Sequence, residues 1–177
     1  MPVTLIRHTR PDIAADVCYG STDLELADTF AQERVLVINA IEHCDRLISS
    51  PLRRCRRLAD AIAENFNIEV ETDDRVREMD FGKWEGMRWS EIPEAEVALW
   101  ADDFLHARPH GGESVAMLRA RTLAAMSDYR SSRQQTIVVT HSGVIKAALA
   151  SGDTAKHFDT KIEFGGIIKP THTGQSQ

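Results

Sequence analysis

A chain of 177 residues with 42% apolar side chains is long enough for one domain with a real core and too short for two comfortable ones. Its formal charge of −6 gives no electrostatic footprint for nucleic acid or acidic membranes. Cys18, Cys44 and Cys55 are odd in number and lack CxxC spacing, so they indicate neither a disulfide framework nor a zinc site and fit a reducing cytoplasm. The first apolar stretch is short and meets Arg7 at once, and no run nears the roughly 18 apolar residues of a membrane span, so neither a signal peptide nor a span is expected.

In chain order, Pro2 to Ile6 reads as a strand that runs into Arg7-His8. A loop from Thr9 to Asp28 follows, holding Pro11 and Cys18-Tyr19-Gly20-Ser21-Thr22-Asp23. Phe30 to Cys44 has helical spacing, with Thr29 as its expected cap. Asp45 to Ser49 is a short strand, and Ser50-Pro51 opens a helix whose buried stripe is Leu52, Cys55, Ala59, Ile62 and Phe66. Ile68 to Glu71 is a third strand. From Asp73 to Ser114 the pattern is irregular, apart from a short helix near Glu94 to Asp102. Val115 to Tyr129 is helical, and Thr136 to Val139 is a strand that runs into Thr140-His141-Ser142-Gly143 and a further helix. Ile162 to Lys169 is a last candidate strand, and Thr171 to Gln177 reads as a loose polar tail. Alternating strands and helices predict one α/β domain over 1–170, three-layered, with a mostly parallel sheet and a lid insertion at about 83–113.

Two strands therefore end in histidines, and in such sheets ligands bind outside the carboxyl ends of the strands. Arg7 leaves the first strand beside His8, and Arg54 falls in the first turn of a helix, where free N–H groups already favour an anion. Two guanidiniums and a helix start make a phosphate clamp, because the planar fork matches phosphate oxygens and stays ionised. His8 is the nucleophile candidate: a neutral ring attacks phosphorus in line and leaves a phosphohistidine, provided a backbone carbonyl fixes the proton of its other nitrogen. Glu78 is placed to give a proton to the leaving oxygen and later take one from water, if burial or phosphate charge keeps it protonated. His141, if protonated, is a third cationic donor onto the phosphoryl oxygens. Arg53, Arg56 and Arg57 read as a solvated helix face, Glu85 as a minor rival for the acid, and Trp84, Trp89 and Trp100 as lid packing that could also stack an aromatic ligand. No Asp/His cluster with two-metal spacing is apparent, and no cofactor is expected.

Five blocks in series, Leu5-Ile6-Arg7-His8, Ser49-Ser50-Pro51-Leu52-Arg53-Arg54, Glu78-Met79-Asp80-Phe81-Gly82-Lys83-Trp84-Glu85-Gly86, Gly111-Gly112-Glu113-Ser114 and Val139-Thr140-His141-Ser142-Gly143, resemble the histidine phosphatase (phosphoglycerate mutase-like) superfamily. The resemblance implies a metal-independent phosphomonoesterase in which Arg7, His8, Arg54 and His141 form the phosphate pocket, His8 is phosphorylated and Glu78 is the proton donor. It also implies substrate contacts at Tyr19, Gly20 and Ser142. The pattern departs at Thr9, where the family most often has glycine. A β-branched residue there cannot take glycine-only angles, so the loop differs slightly or the Thr9 hydroxyl joins the pocket. The Pro11–Val17 loop is short and lacks the asparagine with which many members contact phosphate, and Tyr19-Gly20 stands where Gln-Gly is usual. The Arg-His-Thr variant is most similar to alpha-ribazole phosphatases of cobalamin synthesis, so the implied substrate is a small phosphorylated metabolite. The rival expectations are a protein phosphohistidine phosphatase, against which the lid argues, and a phosphoglycerate mutase, for which the chain is short. A non-catalytic phosphate-binding module is the last, but it would need no proton donor.

Overall fold

The apolar residues of the strands alternate in direction, and each direction serves its own helical layer. The structure, a computed structural model, describes residues 3–170; Pro2 of the expected first strand and the expected tail at 171–177 lie outside the described residues. Among the described residues the strands are β1 (Val3–Arg7), β2 (Arg46–Ser49), β3 (Val70–Thr72), β4 (Thr136–Thr140) and β5 (Ile167–Ile168). The α-helices are α1 (Phe30–Asn39), α2 (Arg53–Phe66), α3 (Glu94–Asp102), α4 (Val115–Ser131) and α5 (Ser142–Leu149). One sheet runs β3-β2-β4-β1-β5, parallel except for β5, which is antiparallel to β1. Leu5, Ile48 and Val138 pack against α4 and α5 with Met126 and Ile145. Ile6, Leu47, Ile137 and Val139 pack the other way, onto Val37 of α1 and Cys55, Leu58 and Ile62 of α2. The expected three-layer α/β domain is the observed one. Covered on both faces, the central strand β4 is buried throughout, which is why it reads as a continuous apolar run.

Several boundaries differ from expectation, for local reasons. α1 stops at Asn39 because the N–H groups of Ala40 and Ile41 bond three residues back, and the Asp45 carboxylate then takes the Gln135 N–H at 2.8 Å to turn the chain into β2. Thr29 bonds the Glu33 side chain at 2.7 Å instead of a helix N–H. β3 starts later than Ile68 because Asn67, at φ 52°, ends α2 and the Ile68 N–H still closes onto Ala63. Ser50-Pro51 precedes α2 without capping it, and helical geometry begins at Arg53.

β5 keeps only two residues of the expected strand because the chain before it folds over the end of β1. Gly165, at φ 70°, donates its N–H to the carbonyls of Arg7 and His8, both at 3.1 Å. That turn lays Phe164 on the strand end.

Candidate active site

Parallel pairing of β1 with β4 places Arg7 opposite Thr140, so His8 and His141 leave the sheet side by side. Their rings meet edge to face with centroids 5.1 Å apart, and both side chains are buried. His8 Nδ1 lies 2.7 Å from the Thr9 carbonyl. A carbonyl only accepts, so Nδ1 carries the proton and Nε2 keeps its lone pair. Toward that lone pair Arg54 Nε donates across 3.3 Å. Burial first, then Arg54 and Arg7, hold His8 well below the ordinary histidine range against the opposing bond to Thr9. The structure thus gives His8 a fixed tautomer, with its free nitrogen toward Arg54.

Arg54 is fully buried at the start of α2, and its other nitrogens donate to the carbonyls of Thr22 at 2.7 Å and Gly20 at 2.5 Å. Tyr19 stands 5.4 Å from this guanidinium. Arg7 Nη1 donates to the Ile162 carbonyl at 2.5 Å, and its guanidinium carbon sits 3.7 Å from the centre of the Phe164 ring. Arg7 Nε and the Thr9 hydroxyl are buried and find no hydrogen-bond partner among the described residues. Both are donors held in reserve at the strand end. Thr9 is not among the residues with positive φ, so the β-branched side chain is accommodated without strain.

Glu78 joins from the irregular segment after β3. Its carboxylate accepts the N–H of Gly143 in the first turn of α5 and its neighbour's at Met79, each at 3.0 Å. The Glu78 residue is half-buried. Glu85, the rival acid, is used otherwise: it accepts from the Ser21, Thr22 and Phe81 backbone N–H groups at 2.8, 2.7 and 3.0 Å and ties the loop that feeds carbonyls to Arg54. Although burial pushes it up, the Thr22 hydroxyl, the Phe81 and Ser21 N–H groups and the Ser21 hydroxyl together hold the Glu85 carboxyl below its ordinary value.

His141 is held by the segment that opens α2. Its Nε2 shares a 2.8 Å hydrogen bond with the Ser50 hydroxyl and lies 3.4 Å from Cys55 Sγ. Burial, then Arg54 and His8, push it well below the usual range. The protein's own groups therefore favour the neutral form of His141. Ser50 was not legible as a site residue, because Ser-Pro before a helix reads first as a cap. Phe164 was hidden in an expected strand. Arg53 pairs with Asp23 and Glu25, and Arg56 with Asp60 at 2.7 Å, as a solvated face should.

Two hollows flank this centre. One, of about 550 Å³, adjoins Glu78 and Ser142 and is walled by Phe81, Trp100, Phe104, Leu118 and Phe158, with Lys146 and Lys156 also on its lining. The other, of about 340 Å³, is lined by Arg7, Arg10, Tyr19, Trp89 and Phe164. Of the three indoles, Trp84 is fully buried and donates to Glu96 at 2.7 Å, Trp100 faces the first hollow and Trp89 the second.

Residues 3–161 match the histidine phosphatase superfamily (branch 1). The chain belongs to that superfamily. It is 31% identical over 163 residues to phosphoserine phosphatase 1 of Hydrogenobacter thermophilus, covering 86% of this chain and 77% of the relative. It is 29% identical over 165 residues to the glucosyl-3-phosphoglycerate phosphatase of Mycolicibacterium vanbaalenii, covering 84% and 72%. At 24% over 159 residues it is similar to the adenosylcobalamin/alpha-ribazole phosphatase of Escherichia coli, covering 85% and 78%. Among solved structures, the alpha-ribazole phosphatase from Shigella flexneri superposes with a TM-score of 0.80 at 23% identity, covering 94% of this chain and 88% of that one. The histidine phosphatase described here is thus an enzyme, a phosphatase on the phosphoglycerate mutase-like fold.

Proposed function

We propose that this phosphatase hydrolyses a small phosphomonoester without a metal, through phosphorylation of His8 Nε2. The observation that carries the reading is the His8 geometry: Nδ1 tied to the Thr9 carbonyl and Nε2 facing Arg54 at 3.3 Å. In the first step the Nε2 lone pair forms the P–N bond while the P–O bond to the leaving group breaks, and Glu78 supplies that oxygen's proton. Arg7 Nε, the Thr9 hydroxyl and the Arg54 fork neutralise the phosphoryl oxygens. His141, sharing its proton with Ser50, becomes a further donor once the dianion arrives. In the second step Glu78 takes a proton from water, which attacks phosphorus, and the P–N bond breaks.

The leaving group belongs in the larger hollow, because that is where Glu78 can reach its oxygen. The rings of Phe81, Trp100, Phe104 and Phe158 suit an aromatic body, and Lys146, Lys156 and Asp159 stand on the same lining for its polar groups. This supports alpha-ribazole 5′-phosphate, and with it a place in cobalamin synthesis, ahead of phosphoserine, although a phosphoserine phosphatase is the more similar in sequence. A wall built partly from the lid also favours a free metabolite over a phosphohistidine protein.

Two measurements test the proposal. Denaturation in alkali during turnover of radiolabelled substrate should leave an acid-labile phosphate on the wild type and none on His8→Ala; label on His141 or normal turnover by His8→Ala would refute it. Across alpha-ribazole 5′-phosphate, phosphoserine, 3-phosphoglycerate and a phosphohistidine peptide, the first should lead in kcat/KM by about a hundredfold, roughly 2.7 kcal/mol of transition-state binding.

A further inference from the structure

The Gly111-Gly112-Glu113-Ser114 block has no part in the reaction written above, yet it stands directly behind the proton donor. The backbone that carries Glu78 belongs to no strand or helix, so its carbonyls must be held by something other than a ladder. One side chain does most of this. Arg121, on α4, donates from Nε and Nη2 to the Glu113 carboxylate at 2.7 and 2.8 Å, from Nη1 to the carbonyls of Arg75 and Arg77 at 2.7 Å each, and from Nη2 to the Glu78 carbonyl at 3.2 Å. The pair is largely withdrawn from water, with side-chain exposures of 22% and 14%. Glu113 also returns its backbone N–H to the Asp80 carbonyl at 2.8 Å, and a Cβ on Gly112 would strike that same carbonyl.

We infer that Arg121, oriented by Glu113, is a positioning residue for Glu78: it fixes the main chain at residues 75–78 so that the carboxylate meets α5 and the leaving oxygen together. This rests on Glu78 being the proton donor. Only a planar fork can serve five acceptors lying on two sides of it, and a lysine point charge cannot. A shift of about 1 Å in a group that must share a proton with the departing oxygen is costly, whereas pocket binding, set by Arg7 and Arg54, is untouched.

Phenyl phosphate and p-nitrophenyl phosphate have similar shapes but differ in how much proton help the leaving oxygen needs, so their ratio in single-turnover phosphorylation of His8 reads the donor alone. Arg121→Lys should slow phenyl phosphate about tenfold or more and p-nitrophenyl phosphate less than about threefold, with KM for both nearly unchanged. Glu113→Gln should move the ratio the same way, and if Arg121→Lys does not fold by circular dichroism, Glu113→Gln decides by the same ratio. In a Glu78→Gln background Arg121→Lys should add no further loss on phenyl phosphate. Equal losses on both substrates, no loss, or full additivity with Glu78→Gln overturns the inference. If Glu78→Gln itself fails to separate the substrates, the reading of Glu78 falls and takes the inference with it; if it separates them and Arg121→Lys does not, the inference alone falls.

Discussion

His8 and His141 are buried, and burial together with neighbouring arginines holds both well below the ordinary histidine range in the folded protein. Unfolding returns each to the ordinary value near 6.5, so below that pH the unfolded chain binds protons that the native one refuses. With depressed histidine pKa values the sign is fixed: stability is present above about pH 6.5 and declines as pH falls, each ring adding up to about 1.4 kcal/mol per pH unit. Urea unfolding of the wild type between pH 7.5 and 5.5 should show a steeper decline than that of His8→Gln; parallel curves would mean that His8 is protonated in the native state. Gly143 is a second point at this scale. Its missing side chain leaves room for Glu78 to reach the α5 N–H, since a Cβ there would collide with Glu78 Oε1. Gly143→Ala should therefore displace the carboxylate and lower kcat on phenyl phosphate about tenfold or more, while circular dichroism stays native. Retained activity would show that the carboxylate works from another position.

At the scale of elements, the phosphate clamp depends on a loop with no regular structure. Arg54 is aimed by the carbonyls of Gly20 and Thr22, and that loop is in turn held by Glu85, four residues beyond Phe81. Glu85→Ala should free residues 20–22 and raise KM for p-nitrophenyl phosphate more than it lowers kcat, because phosphate binding suffers before the chemistry does. A fall in kcat alone would reassign Glu85 to proton transfer. This dependence also explains what the sequence made legible. Strand ends with paired histidines, the alternating apolar faces and Arg54 at a helix start each rest on local period or spacing, and all three reappear in the fold. Ser50, Phe164 and Arg121 were not legible as site residues. Each acts across long sequence separation, on His141, Arg7 and the Glu78 main chain, and a lone Ser-Pro, Phe or helical Arg carries no such signal. Helix and strand ends moved for a similar reason. At Asn39, Asn67 and Gly165 the stop is set by one hydrogen bond or one positive φ, and neither shows in apolar periodicity.

The whole molecule carries a formal charge of −6, yet its site must hold a phosphate dianion. A chain of that charge attracts divalent cations broadly, so a rate that rises with Mg²⁺ would not by itself mean that a metal takes part in the reaction. The site's own charges separate the two cases. The charges of Arg7 and Arg54 both act on His8, and Arg54 is fully buried, where its attraction for an anion is little screened by salt. The carboxylates of the segment after β3 accept N–H groups: Glu78 from Gly143 and Met79, Glu85 from the 21–22 loop, and Asp80 from Gly82 at 2.7 Å. Hydrolysis of p-nitrophenyl phosphate should therefore continue at an unchanged rate in excess EDTA and gain nothing specific from Mg²⁺ or Mn²⁺ beyond what Na⁺ gives at matched ionic strength. Arg54→Ala should abolish activity and not be rescued by either metal. Loss of activity on chelation, restored by a divalent ion, would mean that the two guanidiniums do not carry the charge neutralisation and that the phosphohistidine mechanism written here is incomplete.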